Sequence, residues 1–152
     1  MKLEGQITVK APREEVYAVL SDIGGFASLV EGLNDLRCCQ EGGYEATLTT
    51  KVAYMSFKFK VNVALTIREA PQKLVAKIEG VPMGLIGRLS AVTTTFLTDC
   101  GDSTLIQYEV ESTLTGKLGS IGQPVLKAKA RDMEKQFEKK LQCRFNSDGG
   151  IS

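Results

Sequence analysis

A strict alternation of apolar and polar side chains over residues 55–68 constrains the fold more than any other feature of the sequence. Successive side chains of a strand point to opposite faces, so this period predicts one long strand with a buried face and a solvated face. Strands of that kind are typical of antiparallel sheets. The predicted buried positions are Met55, Phe57, Phe59, Val61, Val63, Leu65 and Ile67.

Five further segments show the same two-residue period and are predicted as strands, at residues 2–9, 44–54, 74–80, 88–98 and 104–114. After the first of these strands, Pro12 and the two glutamates at 14 and 15 are typical of a helix start. Proline suits the first helical position, and negatively charged side chains are stabilising near the positive, N-terminal end of the helix dipole. Gly24 and Gly25 are expected to end this helix. A second short helix is predicted over residues 26–31.

Apolar side chains recur every three or four residues between Lys117 and Arg144, which is a helical period. At ~1.5 Å per residue this helix spans roughly 42 Å, so it needs a long apolar surface to cover it. We therefore predict one α+β domain over residues 1–145, in which a curved antiparallel sheet of six to seven strands wraps a long C-terminal helix. The Gly- and Ser-rich residues 146–152 are predicted to be a disordered tail.

A curved sheet cannot follow a helix closely along its whole length, so the interior either holds a cavity or is closed by small side chains. Small inward residues such as Ala46 and Ala76 fit both alternatives. The cavity hypothesis assigns its wall to Leu48, Val52, Tyr54, Phe57, Phe59, Val61, Val63, Leu65, Ile78, Leu89, Thr93, Thr95, Tyr108, Val110, Leu118, Ile121, Val125 and Met133. The Tyr and Thr hydroxyls in this set are suited to a carbonyl or hydroxyl head group, while ordinary core packing is the alternative for each residue.

The segment 81–87 places five apolar side chains in a predicted surface loop, which is unusual. Together with two glycines near the start of the long helix, it is predicted to form the mouth or lid of the cavity or to contact a membrane or partner. The alternative is a loop that folds onto the core. The residues concerned are Val81, Pro82, Met83, Leu85, Ile86, Gly119 and Gly122.

The chain has no histidine, which excludes His-based nucleophilic catalysis and His-ligated metal sites. The strand positions predicted to face inward carry no carboxylate, and Glu79, Glu109 and Glu111 are predicted to face outward. A non-catalytic protein is therefore predicted. A cyclase or isomerase remains the alternative, because a one-residue register shift would invert a strand.

The net charge of +1 does not favour nucleic-acid binding. Seven cations and three acids between Lys127 and Arg144 make either a solvated helix face or a docking face for an anionic membrane or acidic partner. The four cysteines form no C-x-x-C pair, so no metal site is predicted. Without a signal-peptide pattern or a long apolar stretch, we expect a cytoplasmic protein with reduced thiols.

Several motifs carry a resemblance to a known family. The sequence A-P-x-E-x-V-Y at 11–17, between the first strand and the antiparallel run, resembles the START/Bet v 1-like superfamily. The segments M-K-L-E-G at 1–5, G-G-Y-E-A-T-L at 42–48 and G-K-L-G-S-I-G-Q at 116–123 resemble the CoxG family, which is associated with aerobic carbon monoxide dehydrogenase. The resemblance covers residues 1–145. It departs from the family at residues 31–33, which read Glu-Gly-Leu in place of a Pro-Gly-Cys-like turn.

The resemblance implies a helix-grip fold around a hydrophobic cavity. It also implies an accessory protein that binds a lipid-like or quinone-like molecule and links a molybdenum hydroxylase to the membrane or its quinone pool. We therefore expect a bound quinone or lipid, no metal or covalent cofactor, and peripheral contact with the inner face of the membrane. A membrane- or partner-docking module without a ligand is a further alternative.

Overall fold

In the part of the chain that the structure describes, seven antiparallel strands form one sheet in the order β1-β7-β6-β5-β4-β3-β2. The computed structural model describes residues 1–39 and 43–150, with side chains through Phe145. The strands are β1 (Lys2–Val9), β2 (Leu33–Cys38), β3 (Tyr44–Val52), β4 (Met55–Glu69), β5 (Lys73–Pro82), β6 (Gly87–Asp99) and β7 (Thr104–Gly116). The helices are α1 (Arg13–Ser21), α2 (Ile23–Ala27), a 3-10 helix (Lys117–Ser120) and α3 (Gln123–Gly150). This arrangement confirms the predicted α+β helix-grip architecture.

The alternation that predicted β4 is realised over most of that strand. Phe59 and Val61 are buried, while Lys58 and Lys60 beside them are exposed. Ile67 is an exception, since a register shift between Leu65 and Ile67 turns it to the outer face, where it lies opposite Val75 of β5. Met55 is also exposed, because it lies at the tip of the hairpin with β3. The predicted burial of these two side chains is therefore wrong.

Helix boundaries differ from the sequence prediction at three places. Gly24 and Gly25 lie inside α2, which begins at Ile23 because the Asp22 carboxylate accepts a hydrogen bond from the Gly25 N–H at 2.9 Å. The long helix begins at Gln123 rather than at residue 117, since the two glycines of that segment favour a separate 3-10 turn. It continues to Gly150, into the segment predicted as a tail, and residues 151–152 lie outside the described residues.

Two apolar clusters lie at different ends of the concave face. The first cluster joins β1, α1, α2 and the sheet to the second half of α3, through Leu141 at 0% exposure and Phe145. The second cluster packs Phe59 and Val61 of β4 against Leu118 of the 3-10 helix, at 1% exposure. The helical segment after β7 is therefore held to the sheet near both of its ends. Within 1–39 and 43–150, no helix is both long and apolar enough to cross a membrane.

Replacing Leu141 by Ala is expected to lower the free energy of unfolding by ~2–5 kcal/mol, because it removes a fully buried side chain that joins α3 to the sheet. Leu36→Ala is the matched control. Leu36 is exposed on β2, so the same substitution there is expected to change stability by no more than ~0.5 kcal/mol. Urea denaturation followed by circular dichroism measures both. Equal effects would contradict the assigned anchoring role of Leu141.

Candidate functional site

A cavity of about 500 Å³ lies between α3 and the concave face of the sheet. Its volume is within the usual range of small-molecule sites. Every helix except the 3-10 turn and every strand except β2 contributes to its wall. The apolar wall consists of Leu3, Ile7, Leu20, Ile23, Phe26, Leu29, Val30, Val63, Leu65, Leu74, Ala76, Ile78, Ile106, Val110, Ala130, Met133 and Phe137. Tilted packing of the Phe26 and Phe137 rings, with centroids 5.5 Å apart, joins α2 to α3 along this wall.

Eight of the predicted wall residues line this cavity. They are Val63, Leu65, Ile78, Thr93, Thr95, Tyr108, Val110 and Met133. They lie on β4 to β7 and on α3, between the two clusters: Val63 and Ile78 border the second cluster, and Leu65 and Tyr108 border the first. The backbone register supports this grouping, because Leu65, Ala76 and Thr93 are successive cross-strand neighbours on β4, β5 and β6.

The other ten predicted wall residues do not line the cavity. Six of them form the solid second cluster with the residues around them, where the 3-10 helix fills the space between helix and sheet: Leu48, Phe57, Phe59, Val61, Leu118 and Ile121. Val52 is buried at the end of β3, and Leu89 packs against the position of Gly80. Val125 is exposed near the start of α3, and Tyr54 is 92% exposed because it lies in the β3–β4 turn rather than in a strand.

The predicted mouth is also misplaced, since no residue of the predicted lid lines the cavity. Leu85 packs into the second cluster, Pro82 ends β5 and is buried, and the others are exposed: Val81, Met83, Ile86, Gly119 and Gly122. The second cluster closes this end. The exposed side chains that do line the cavity include Glu31, before β2, and Thr49 and Lys51 on β3. The mouth therefore lies beside β3 and the α2–β2 connection.

The sequence prediction missed the contribution of β1, α1 and α2 to the wall. Leu3, Leu20 and Phe26 belong to elements that were predicted, but these residues were not assigned to the cavity wall. It also missed Glu134, although that residue follows Ala130 by four positions and precedes Phe137 by three, which places it on the inward face of the helix.

A carboxylate enters the cavity, which corrects the prediction that none faces inward. The strands supply none to the cavity wall, as predicted, but Glu134 of α3 lines the cavity with its side chain only 19% exposed. The Tyr108 hydroxyl donates a hydrogen bond to Glu134 Oε2. Arg131 Nη1 donates to Glu134 Oε1 at 3.2 Å from the outer side of the helix. Burial, and then the hydrogen bond to Glu134, raise the pKa of Tyr108 well above its usual value, so the phenol keeps its proton.

Gly5 makes room for this pair. It lies opposite Tyr108 in the β1–β7 register, and a Cβ at residue 5 would collide with the Tyr108 hydroxyl. The missing side chain on β1 therefore allows the phenol to lie flat across the strand and reach α3.

An exposed apolar surface lies at the end of the sheet closed by the second cluster. We call it the apolar tip and define it as Tyr54, Met55, Met83 and Ile86. The Met83 N–H donates to the carbonyl of Lys58 at 2.8 Å, and the Lys117 N–H donates to the carbonyl of Ile86 at 2.9 Å. These bonds tie the β5–β6 loop to β4 and to the 3-10 helix. The side chains of Lys51, Lys58 and Lys117 are exposed around the tip.

Over the described ranges 1–39 and 43–150, no three Cys, Asp or Glu side chains are grouped in a way that could hold a metal ion. Cys38, Cys100 and Cys143 are exposed and carry free thiols.

The comparisons with known proteins agree with this geometry. A family model described as a carbon monoxide dehydrogenase subunit (CoxG) matches residues 5–145. The chain belongs to this family. Comparison with curated proteins gives no match. Among solved structures, the fold of this CoxG family member is similar to that of a conserved protein from Geobacillus kaustophilus, with a TM-score of 0.87, 25% identity, and coverage of 97% of this chain and 96% of the other.

A second similar structure has the same fold. A START superfamily protein from Mycobacterium smegmatis has a TM-score of 0.71 at 13% identity, and the match covers 96% of this chain and 97% of that one. At this identity the similarity concerns the fold alone. The assignment to the CoxG family and the START-like fold agree with both parts of the resemblance noted in the sequence.

Replacing Gly5 by Ala is expected to displace Tyr108 from Glu134 and to lower the free energy of unfolding by ~1–3 kcal/mol, because the new methyl group has no space. Gly24→Ala is the control. Its Cβ would have its nearest neighbour at 3.7 Å, an ordinary contact, and alanine inside a helix is favourable by ~0.5–1 kcal/mol. Urea midpoints of the two variants measure the difference, and an unperturbed Gly5→Ala protein would contradict the described position of Tyr108.

Proposed function

We propose that this CoxG family member binds a hydrophobic, lipid-like or quinone-like molecule without changing it. The observation that carries the proposal is the 500 Å³ cavity with a mostly apolar wall between α3 and the sheet. Burial of apolar ligand surface contributes ~25 cal/mol per Å², so each ~100 Å² removed from water adds about 2.5 kcal/mol. A START-like fold alone does not specify a ligand, since one fold serves many functions.

The decisive experiment is native mass spectrometry of the purified protein, followed by organic extraction and identification of the released molecule. We expect a bound lipid or quinone, or stoichiometric uptake of one that is added. A protein that neither retains nor takes up such a molecule would refute the proposal. The cyclase or isomerase alternative is favoured by the Glu134 carboxylate in the cavity. It predicts that an added ligand is recovered in chemically altered form.

Replacing Ala76 by Phe is expected to block ligand uptake, because Ala76 lines the cavity between Leu65 and Thr93. The affinity should fall by about tenfold or more, equivalent to ~1.4 kcal/mol or more. Ala64→Phe is the matched control, since Ala64 lies next to Leu65 on β4 and points to the outer face of the sheet. Binding is measured by native mass spectrometry or fluorescence displacement, with circular dichroism to verify folding. Equal binding by both variants would place the ligand elsewhere.

The family description extends the proposal to a partner. We propose that the chain serves as an accessory to a carbon monoxide dehydrogenase, the enzyme named in the family description, or to a related molybdenum hydroxylase. Sedimentation velocity of the chain mixed with the purified dehydrogenase from the same genome tests this. A faster-moving complex is expected, and separate boundaries at micromolar concentrations would refute a stable association.

We further propose peripheral contact with an anionic membrane through the apolar tip, on a protein located in the cytoplasm. Tyr54 is 92% exposed and Ile86 is 80% exposed, and exposed lysines lie around them. Exposed apolar side chains flanked by cations are typical of surfaces that insert into the lipid interface.

Replacing Ile86 by Ser is expected to weaken vesicle binding about tenfold, because the variant loses most of the ~1.5–3 kcal/mol gained by burying an aliphatic side chain. Phe96→Ser is the control, since Phe96 is an exposed apolar residue on the outer face near the opposite end of β6. Co-sedimentation with phosphatidylcholine vesicles, with and without phosphatidylglycerol, measures binding. Equal recovery with both vesicles would contradict the electrostatic contribution, and equal losses for both variants would contradict the role of the tip.

A further inference from the structure

Tyr108 and Glu134 form a polar pair inside the cavity, and this pair presents hydrogen-bond acceptors rather than donors to a ligand. The only hydrogen of the Tyr108 hydroxyl is donated to Glu134 Oε2, and the raised pKa of Tyr108 keeps that hydrogen in place. An ionised carboxylate has no donor and about four acceptor positions. A ligand that approaches this pair from the cavity therefore meets the lone pairs of the phenol oxygen and of the carboxylate.

The Arg131 guanidinium beside the pair does not change its character as a hydrogen-bond acceptor. Arg131 Nη1 contacts Glu134 Oε1 at 3.2 Å and Oε2 at 3.4 Å, but Arg131 is exposed and does not line the cavity. It balances the carboxylate charge from the solvent side and leaves the inner side of the carboxylate as an acceptor.

Among the other polar wall residues, Thr95 lies beside Tyr108 as its cross-strand neighbour in the β6–β7 register. The amide of Gln136 also lines the cavity and donates a hydrogen bond to Asp132 Oδ2 at 3.3 Å. Lys51 is exposed at the mouth, and Lys129 lies five residues before Glu134 on α3, which is about 7.5 Å along the helix axis. The Thr93 and Thr95 hydroxyls both donate and accept, so they do not distinguish a donor from an acceptor.

We propose that the Glu134 carboxylate, held in place by the Tyr108 hydroxyl, selects among hydrophobic molecules those that carry a hydroxyl donor at their polar end. Molecules whose polar end has only carbonyl or ether oxygens leave the partly buried carboxylate acceptor facing another acceptor, and anionic head groups are repelled by Glu134. In a quinone-like ligand the same chemistry favours the hydroquinone over the quinone. This inference rests on the proposed function, since it assigns specificity to the same cavity.

The test compares ligand pairs that differ in donor capacity but little in size. Dodecanol and methyl undecyl ether have the same number of heavy atoms, and decyl-ubiquinol and decyl-ubiquinone share ring and tail. Affinities are measured by fluorescence displacement, under anaerobic conditions for the quinol. We expect the hydroxyl-bearing member of each pair to bind about tenfold more tightly, the usual value of a hydrogen bond to a charged acceptor.

Glu134→Gln is the decisive variant. The glutamine oxygen still accepts from Tyr108, but its amide supplies a donor to the cavity, so the preference for the hydroxyl member should fall to about one or reverse. Glu138→Gln is the matched control on the same helix, because Glu138 does not line the cavity, and it should keep the tenfold preference. Tyr108→Phe frees the carboxylate without adding a donor and should also keep the preference. Circular dichroism verifies that each variant is folded.

The outcomes separate this inference from the proposed function. If neither member of any pair binds the natural protein, the proposed function fails and the inference with it. If both members bind equally, the inference is overturned while the proposed function stands. A preference that persists unchanged in Glu134→Gln would also overturn it, because another group would then be the acceptor.

Discussion

The architecture depends on how the helical segment after β7 is fastened to the sheet. Leu141 and Phe145 hold α3 in one apolar cluster, and Leu118 holds the preceding 3-10 helix in another. The cavity of about 500 Å³ lies between these two attachments. Small side chains in its wall, such as Ala76 and Ala130, leave part of the space between helix and sheet unfilled.

A carboxylate that is largely removed from water is costly unless its charge and lone pairs are satisfied. Glu134 meets this condition through the Tyr108 hydroxyl on one side and Arg131 on the other. Gly5 is part of the same arrangement, because any side chain there would exclude the phenol. Residues of β1, β7 and α3 therefore combine to place the Glu134 carboxylate at the cavity wall, and the proposed preference for hydroxyl donors depends on this arrangement.

Local periodicity predicted every described strand except β2, because each strand face is set by its own residues. It missed β2, where a register shift between Asn34 and Arg37 interrupts the period. It was wrong where one residue interrupts the period, as at the register shift before Ile67 and in the turn that contains Tyr54. It could not decide which inward residues line a cavity and which form solid core. That distinction depends on Leu118, whose position follows from the break at residues 121–122 and from packing against β4. The helical period could have predicted the inward position of Glu134, since its spacing from Ala130 and Phe137 places it on the inward face.

The β3–β4 hairpin connects the cavity, which is the proposed ligand site, to the apolar tip, which is the proposed membrane contact. Thr49, Thr50 and Lys51 line the cavity, and Tyr54 of the apolar tip follows Lys51 by only three residues. At ~3.3 Å per residue this is roughly 10 Å, shorter than an extended lipid tail. A hydrophobic molecule that leaves the cavity past Lys51 can therefore reach a bilayer bound at the apolar tip with one end. Its other end is then still inside the protein. Transfer along this route never requires the whole molecule to enter water.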